Sequence, residues 1–411
     1  MKSSTIAFYL PSLAGGGAER SMLRLMSGLA ARGWQIELVL NHARGPYLGH
    51  VPKDIRVIEL ERASKWRQRI RLAWRFRREP LRWRYQAFGR RKPILKLQFL
   101  NSLIQYMQTS SASTMVCAMY EANMLAVCAR ACSASSMKLI VSARNDLSLT
   151  VAERCQSDDR KHWRDLPRLI SRLYCKAEHI VAVSHGVADD LANAAHIDRE
   201  RITTIYNPVV ADDFTADALG PADHPWLVAE GPPVILAVGR LEPQKDFSCL
   251  LDAFAQLAPD TDARLIILGE GWQRHALQQQ AQRLGIADRL DLHGWVAEPR
   301  VYLKTAALFV SSSRYEGLPG ALIEALSCGC PVIATDCPSG PREILNHGEW
   351  GRLVPVGNAE CLAHAIRATL DEPPLRANQA ERGRFFSVSA AVTSYERLIT
   401  GNSDTGSSSV A

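Results

Sequence analysis

A chain of 411 residues is too long for one ordinary core and implies two domains. Its 47% hydrophobic content is that of a globular protein, and no window of about eighteen apolar residues occurs, so no segment is long and apolar enough to span a membrane as a helix. The net charge of +7 is uneven: from Arg62 to Lys96 fourteen Lys and Arg stand against a single acid, Glu79, a local +13 that leaves −6 for the rest of the chain.

The N-terminal Met-Lys-Ser-Ser-Thr-Ile-Ala-Phe-Tyr-Leu carries one Lys and an apolar run too short for a signal peptide. Ile6 to Leu10 therefore reads as a first strand, running into Pro11-Ser12-Leu13-Ala14-Gly15-Gly16-Gly17. Ala18 to Ala31 has Met22, Leu25, Met26 and Leu29 at helical spacing, and Gly33 ends it. Ile36 to Leu40 and Arg56 to Leu60 are further strands. Strands alternating with helices predict a parallel sheet with helices on both faces. The triple glycine permits close approach by a phosphate or sugar. It is equally a plain β–α turn, since neither a G-x-G-x-x-G nor a phosphate-loop motif accompanies it.

The basic segment follows. Trp66, Ile70, Ala73 and Trp74 fall on one helical face, with Arg67, Arg69, Arg71 and Arg75 around it. Pro80 breaks the helix, and Leu81, Tyr85 and Phe88 begin a second apolar face. Tryptophan beside arginine on a non-spanning helix is the make-up of an interfacial helix on an anionic membrane, where each basic residue contributes about 1 kcal/mol. Two other readings stand beside it. Some of the apolar side chains could dock on the core of a solvated surface. The segment could also bind nucleic acid, though no nucleic-acid motif accompanies it.

Thr114 to Met119, Leu139 to Val141 and Ile180 to Val183 continue the strand series. Polar residues follow each: Tyr120-Glu121-Ala122-Asn123, Ser142-Ala143-Arg144-Asn145-Asp146 and Ser184-His185-Gly186. In open α/β sheets ligands bind beyond the carboxyl ends of strands. Asn123 and Arg144 are thus candidates for an acceptor side, Arg144 because its planar fork suits a phosphate. Loop hydrogen bonding is the plainer role for each. Residues 1–210 form the predicted first domain and 211–233, rich in Pro, Asp, Gly and Ala, a linker. Residues 234–384 form the second domain, with strands at Val234 to Val238, Leu265 to Leu268, Leu290 to Leu292, Leu308 to Val310, Val332 to Ala334 and Arg352 to Val354. Ala359 to Leu370 is helical. Phe385 to Ile399 reads as a last helix, and residues 401–411, rich in Ser and Gly, as a disordered tail. The ten Cys include no C-x-x-C pair, and Cys328-Gly329-Cys330 is a poor metal pattern. They read as small core residues in a reducing compartment, which implies the cytoplasm.

The most informative stretch runs from Ser311 to Leu326. An apolar strand leads into Ser312-Ser313-Arg314-Tyr315-Glu316-Gly317-Leu318-Pro319-Gly320 and then into a helix. This layout turns backbone N–H groups and a positive helix end toward an anion. Glu316 lies in the loop, and Glu324 points away from the Leu322/Leu326 face of the helix. Two carboxylates thus flank one predicted anion pocket, unless each is merely a solvent-exposed Glu. Arg240 and Lys245, five apart beyond a strand end, can place cations against a diphosphate whose charge grows as it leaves.

Glu316, seven residues and Glu324 resemble the E-x7-E signature of the retaining glycosyltransferases of family 4. Glu316-Gly317-Leu318-Pro319, the run Gly329 to Asp336, and Val238-Gly239-Arg240-Leu241 with Lys245-Asp246-Phe247 are similar to that family too. The resemblance implies the GT-B fold: two Rossmann-like, doubly wound α/β domains facing a cleft, with the stretch 385–400 packing back on the first. It implies a nucleotide-sugar donor bound by Gly16, Gly17, Gly239, Arg240, Lys245, Gly269, Glu270, Gly294, Glu316, Gly317, Leu318, Pro319 and Glu324. Glu316, with Arg240 and Lys245, carries the transfer and Glu324 takes the ribose hydroxyls; retention in this family is generally discussed as front-face attack assisted by the leaving phosphate, a choice of mechanism that the residues leave open. No metal, cofactor or nucleic acid is implied. The donor expected is a UDP-sugar carrying a hexose or N-acetylhexosamine. The acceptor expected is lipid-linked, in bacterial polysaccharide or glycan assembly, with the enzyme peripheral on the inner face of the cell membrane. A sugar-nucleotide 2-epimerase of the same fold and a non-catalytic nucleotide-sugar binder are the alternatives.

Overall fold

The computed structural model describes residues 4–90, 93–155, 158–228 and 231–401, with only the backbone for 158–161. Arg91 and Lys92 of the basic segment, and all of the expected tail beyond residue 401, lie outside the described residues. The chain divides into two compact units. One comprises residues 1–183, 187–208 and 388–411, and the other residues 184–186 and 209–387.

The first unit is built on β1 (Thr5–Leu10), β2 (Gln35–Leu40), β3 (Arg56–Glu59), β4 (Thr114–Ala118), β5 (Lys138–Ala143), β6 (His179–Ala182) and β7 (Ile202–Thr204). They form one parallel sheet in the order β3-β2-β1-β4-β5-β6-β7. Its inner strands are continuous apolar runs because both faces are covered. One face carries Ile6, Phe8, Leu10, Val116, Ile140 and Val181 against the helices Gly17–Ala31 and Val388–Thr400. The C-terminal helix approaches the first one at Gly28, where an added Cβ would lie 2.6 Å from Val392 Cγ2. Arg32 and Trp34 fix the contact by donating to the Glu396 carboxylate at 2.5 and 2.8 Å. That helix begins at Val388 rather than at Phe385, since Phe385 and Phe386 precede it in the other unit.

The second unit is built on β8 (Val234–Val238), β9 (Arg264–Leu268), β10 (Leu290–Gly294), β11 (Leu308–Ser311), β12 (Val332–Thr335) and β13 (Arg352–Val354). These are parallel in the order β10-β9-β8-β11-β12-β13. The order reverses between β8 and β11, as it does between β1 and β4 in the first unit. At such a point the β–α loops of two adjacent strands diverge to opposite faces and leave a crevice at their carboxyl ends.

The basic segment forms the helix Lys65–Arg75, with Gln68, Leu72 and Phe76 buried. Trp66, Ile70 and Trp74 are 68, 51 and 68% exposed, and Leu81 and Tyr85 are exposed as well. Phe88 departs from the sequence reading. It is buried against Trp83, and both pack near Phe76. Three of the arginines reach protein acceptors: Arg69 donates to the Arg90 carbonyl at 2.5 Å, Arg71 to Asn101 Oδ1 at 3.0 Å, and Arg75 to the Ala131 carbonyl. They tether the helix while its aromatic face stays outward.

Gly269 closes the end of the second sheet. Its φ is +145°, its N–H donates to the Gly294 carbonyl at 2.7 Å, and a Cβ there would lie 1.9 Å from the Gly239 carbonyl oxygen. Gly269→Ala is therefore expected to destabilise the second unit by more than about 3 kcal/mol. Gly285→Ala, at φ +68° in open space, is expected to cost only about 1–2 kcal/mol. Urea unfolding of the two variants checks this, and equal midpoints would contradict it.

Candidate active site

The second unit gathers its chemistry on the loops that follow β8 and β11, the two strands at its reversal point. The β11 loop ends at Pro319, and the helix Gly320–Ser327 starts without a capping side chain. Glu316 is 7% exposed. Its Oε1 accepts from Lys245 Nζ at 2.5 Å and from Ser313 Oγ at 2.7 Å. Lys245 comes from the β8 loop, and its aliphatic stem lies across Gly239, whose added Cβ would sit 3.0 Å from Lys245 Cε. A side chain at Gly239 would push the ammonium off the carboxylate.

The two loops are stitched at several further points. Arg314 N donates to the Gln244 carbonyl at 2.8 Å, and Gln244 Nε2 donates back to the Tyr315 carbonyl at 3.0 Å. Ser312 Oγ donates to the Lys245 carbonyl at 2.7 Å. Arg314 clamps the buried Asp246 with two bonds of 2.9 and 3.1 Å. Asp246 itself is held at φ +47°, a conformation that Asp tolerates better than most residues. Thr335 Oγ1, at the end of β12, donates to the Ser313 carbonyl at 2.5 Å. Gly340, at φ +90°, packs so closely that a Cβ would meet the Gly317 carbonyl oxygen at 2.9 Å. The Glu-Gly-Leu-Pro loop is thus held from three sides before any ligand arrives.

The remaining candidates separate into groups. Glu324 is 4% exposed, so neither member of the E-x7-E pair is the solvent-facing glutamate that was the plain alternative. Arg300 lies close enough to feel the Glu324 charge. Arg240 stays outside the Lys245–Glu316 pair: its guanidinium is exposed and donates to the Glu242 carboxylate at 3.0 Å. Glu270 is held by Arg274 at 2.7 and 3.0 Å, and Gly294, at φ +102°, backs onto Glu270 Oε1. Leu318 is buried. Gly16 and Gly17 start the helix Gly17–Ala31 of the first unit, where the Glu19 carboxylate folds over Gly16. Arg144, after β5, is 8% exposed. Asn123 corrects the sequence reading. It is wholly buried, and its Nδ2 donates to the Ser142 carbonyl at 2.9 Å and to Tyr174 Oη at 2.7 Å. Such a side chain braces the core and reaches no acceptor.

One polar cluster went unread in the sequence. Among the described residues, His224, Asp291 and His293 bring three metal-competent atoms within 4.8 Å of one another. Their hydrogen bonds already bind them to one another and to the protein instead. The Trp226 N–H donates to His224 Nδ1 at 3.1 Å, which leaves the ring proton on Nε2, 2.9 Å from Asp291 Oδ2. A metal at Nε2 would need that proton moved to Nδ1, against the Trp226 donor. His293 Nδ1 lies 3.0 Å from the same Asp291 oxygen, and Tyr302 Oη lies 2.9 Å from His293 Nε2. His224 is 67 residues from Asp291, so no local spacing announces the group.

Comparison with known proteins adds the following. Residues 15–213 match the family model Glycosyltransferase Family 4, and residues 222–385 match Glycosyl transferases group 1. The chain is 33% identical over 208 residues to a Campylobacter jejuni enzyme, N-acetylgalactosamine-N,N'-diacetylbacillosaminyl-diphospho-undecaprenol 4-alpha-N-acetylgalactosaminyltransferase, covering 51% of this chain and 55% of that one. It is 32% identical over 187 residues to the lipopolysaccharide 1,6-galactosyltransferase of Salmonella typhimurium, covering 44% and 49%. These matches thus span about half the length of the curated relatives. Among solved structures, Anabaena Alr3699/HepE in complex with UDP and glucose superposes with a TM-score of 0.74 at 19% identity, covering 97% of this chain and 100% of that one. Sucrose-phosphate synthase from Thermosynechococcus elongatus gives 0.75 at 19% identity with the same coverage. The fold is GT-B, and two consecutive glycosyltransferase family models account for most of the chain.

Proposed function

We propose that this chain, a GT-B protein matched along both halves by glycosyltransferase models, is a retaining and metal-independent glycosyltransferase. It moves a hexose or N-acetylhexosamine from a UDP-sugar to a lipid-linked glycan acceptor in bacterial polysaccharide or glycan assembly. The observation that carries this reading is the Lys245–Glu316 pair, held between the two loops of the second unit's reversal point. Support for UDP comes from similar folds solved with it. Support for a lipid-linked acceptor comes from the diphospho-undecaprenol in the Campylobacter relative's name.

In this reading the bond between the anomeric carbon and the β-phosphate oxygen breaks. An acceptor hydroxyl attacks from the same face, and its proton passes to the leaving phosphate. Lys245 and Arg240 meet the charge that grows on the diphosphate, and a cation already in place costs no reorganisation as that charge develops. Arg240 must leave Glu242 to do so. Glu316, fixed by Ser313 and Lys245, presents its second oxygen to the hydroxyls of the transferred sugar, and Glu324 takes the ribose. Glu316→Ala, Arg240→Ala and Lys245→Ala are each expected to lower UDP release in the presence of cell lipids by about 10²–10³-fold. Circular dichroism should report an unchanged fold. Near-normal release in all three, or UDP release from none of the donors tested with the native chain, contradicts the assignment.

Because protein cations meet the diphosphate, activity is expected to survive EDTA. Loss on chelation that magnesium or manganese reverses would show that a metal carries the leaving group.

The helix Lys65–Arg75 supports a membrane-peripheral location on the cytoplasmic face. Trp66, Ile70, Trp74, Leu81 and Tyr85 are exposed, and the surrounding charge favours anionic headgroups. Sedimentation is expected to show binding to vesicles of anionic lipid, weak binding to neutral ones, and release as salt shortens the Debye length from about 8–10 Å. Trp66→Ala/Ile70→Ala/Trp74→Ala should lose vesicle binding while turnover on a short soluble acceptor persists. Equal binding to both lipid types, or none to either, leaves only the solvated-surface reading.

A further inference from the structure

The first unit holds a cavity that is separate from the crevice at its strand ends. The cavity, about 400 Å³ in volume, is lined by Arg82, Trp83, Arg164, Arg168 and Arg172 and by the end of the helix His185–Ala195. That helix starts at the carboxyl end of β6 and runs back toward the amino ends of the strands. The cavity therefore lies away from the carboxyl ends, where the crevice is.

Its charge is of one sign. Arg164, Arg168 and Arg172 recur every four residues, so they share one face of the helix Leu166–Tyr174 and of the turn before it. Leu166, Leu169, Ile170 and Leu173 are buried on the other side. Like charges at that spacing repel one another, and the fold offsets only the last of the three: Arg172 donates to the Glu79 carboxylate at 2.5 Å. Asp165, beside Arg164, is taken by Gln86 at 2.7 Å and by Arg90. Arg82, Arg164 and Arg168 are exposed. Among the described residues, their guanidinium groups have no hydrogen bond or ion pair, and no acid lines the cavity. Three open forks around one concave surface are placed to share the oxygens of a phosphate.

The rim bears on what carries that phosphate. Arg82 and Trp83 belong to the short helix Leu81–Arg84, which continues into the turn Tyr85–Gly89. Leu81 and Tyr85 on this stretch are 77 and 61% exposed. Trp83 also packs on Phe76, with ring centroids 5.6 Å apart, and so joins the cavity wall to the end of the helix Lys65–Arg75 and its outward tryptophans. A free anion gains nothing from apolar side chains at the rim, whereas a lipid brings a charged head and an apolar chain together.

We propose that this cavity binds the phosphate headgroup of an anionic phospholipid, with Leu81 and Tyr85 against the start of its acyl chains. Arg164, Arg168 and Arg172 lie outside the basic run from Arg62 to Lys96, so the site is distinct from the diffuse attraction of that run. The choice of a lipid rests on the membrane-peripheral reading above, while the phosphate chemistry of the cavity does not.

The test uses a lipid that stays in solution. Calorimetry of the full chain with monomeric dihexanoyl phosphatidylglycerol is expected to give saturable binding at a single site. Arg164→Gln/Arg168→Gln is expected to weaken it about 10–100-fold, with the thermal midpoint kept or raised because a repelling pair is relieved. Arg67→Gln/Arg78→Gln removes the same charge from exposed residues outside the cavity and is expected to leave binding nearly unchanged. Glycerophosphoglycerol, the same head without chains, is expected to bind through Arg164 and Arg168 but more weakly. Absence of saturable lipid binding, or equal loss in the two double variants, overturns the proposal. Equal affinity for glycerophosphoglycerol and the lipid overturns the lipid and leaves a site for a free phosphate ester. Monomer binding through Arg164 and Arg168 without vesicle sedimentation would remove the membrane reading alone. Vesicle binding that needs Trp66, Ile70 and Trp74, without any monomer binding, would remove the cavity site alone.

Discussion

The site in the second unit depends on one ion pair that water scarcely reaches. Lys245 and Glu316 lie 2.5 Å apart with side chains 21 and 9% exposed. Bringing both charges out of water costs about as much as their attraction returns, while removing either one strands the other at about 3–5 kcal/mol. Such a pair contributes little net stability and a great deal of position. It joins the loop after β8 to the loop after β11, and every other stitch between them, from Arg314–Asp246 to Ser312 on the Lys245 carbonyl, preserves the geometry it needs. The glycines follow from the same requirement. Gly239 leaves room for the lysine stem, and Gly340 leaves room for the loop that carries the glutamate.

The two units repeat one design and use it differently. Each is a parallel sheet whose strand order reverses once, so each has a crevice at the carboxyl ends of its central strands. In the second unit the crevice is charged and internally paired. In the first it has a glycine-rich turn, a helix start covered by its own Glu19, and an arginine with one edge unsatisfied. The paired arrangement suits a ligand that brings its own charge and displaces part of a pair.

The basic segment shows how a single run of arginines can serve two ends. Arg69, Arg71 and Arg75 donate to protein oxygens and hold their helix down. The bonds of Arg71 and Arg75 go to an amide oxygen and a backbone carbonyl, neither of which carries a charge. The helix is therefore anchored and strongly positive at once, with its tryptophans on the outer side.

The sequence by itself determined where twelve of the thirteen strands lie, with ends that differ by one or two residues in several. Val234–Val238 and Arg352–Val354 are as expected, because a strand buried on both faces must be apolar throughout and turn residues bound it. It also determined the Glu316–Glu324 spacing and the cations at Arg240 and Lys245, which are local patterns. Where the local signal was weak, the reading failed. β7 is a three-residue edge strand of Ile-Thr-Thr, and the helix Arg376–Arg384 is almost wholly polar. Asn123 faces inward because partners distant in sequence, Ser142 and Tyr174, receive it, and Phe88 because the chain folds Trp83 and Phe76 over it. The tertiary structure alone decided that Lys245 reaches Glu316 while Arg240 does not. It alone assembled His224 with Asp291, and left one edge of Arg144 without a partner. Each of these is a contact between side chains brought together by the folding of separate strands, and no spacing along the chain encodes a distance in space.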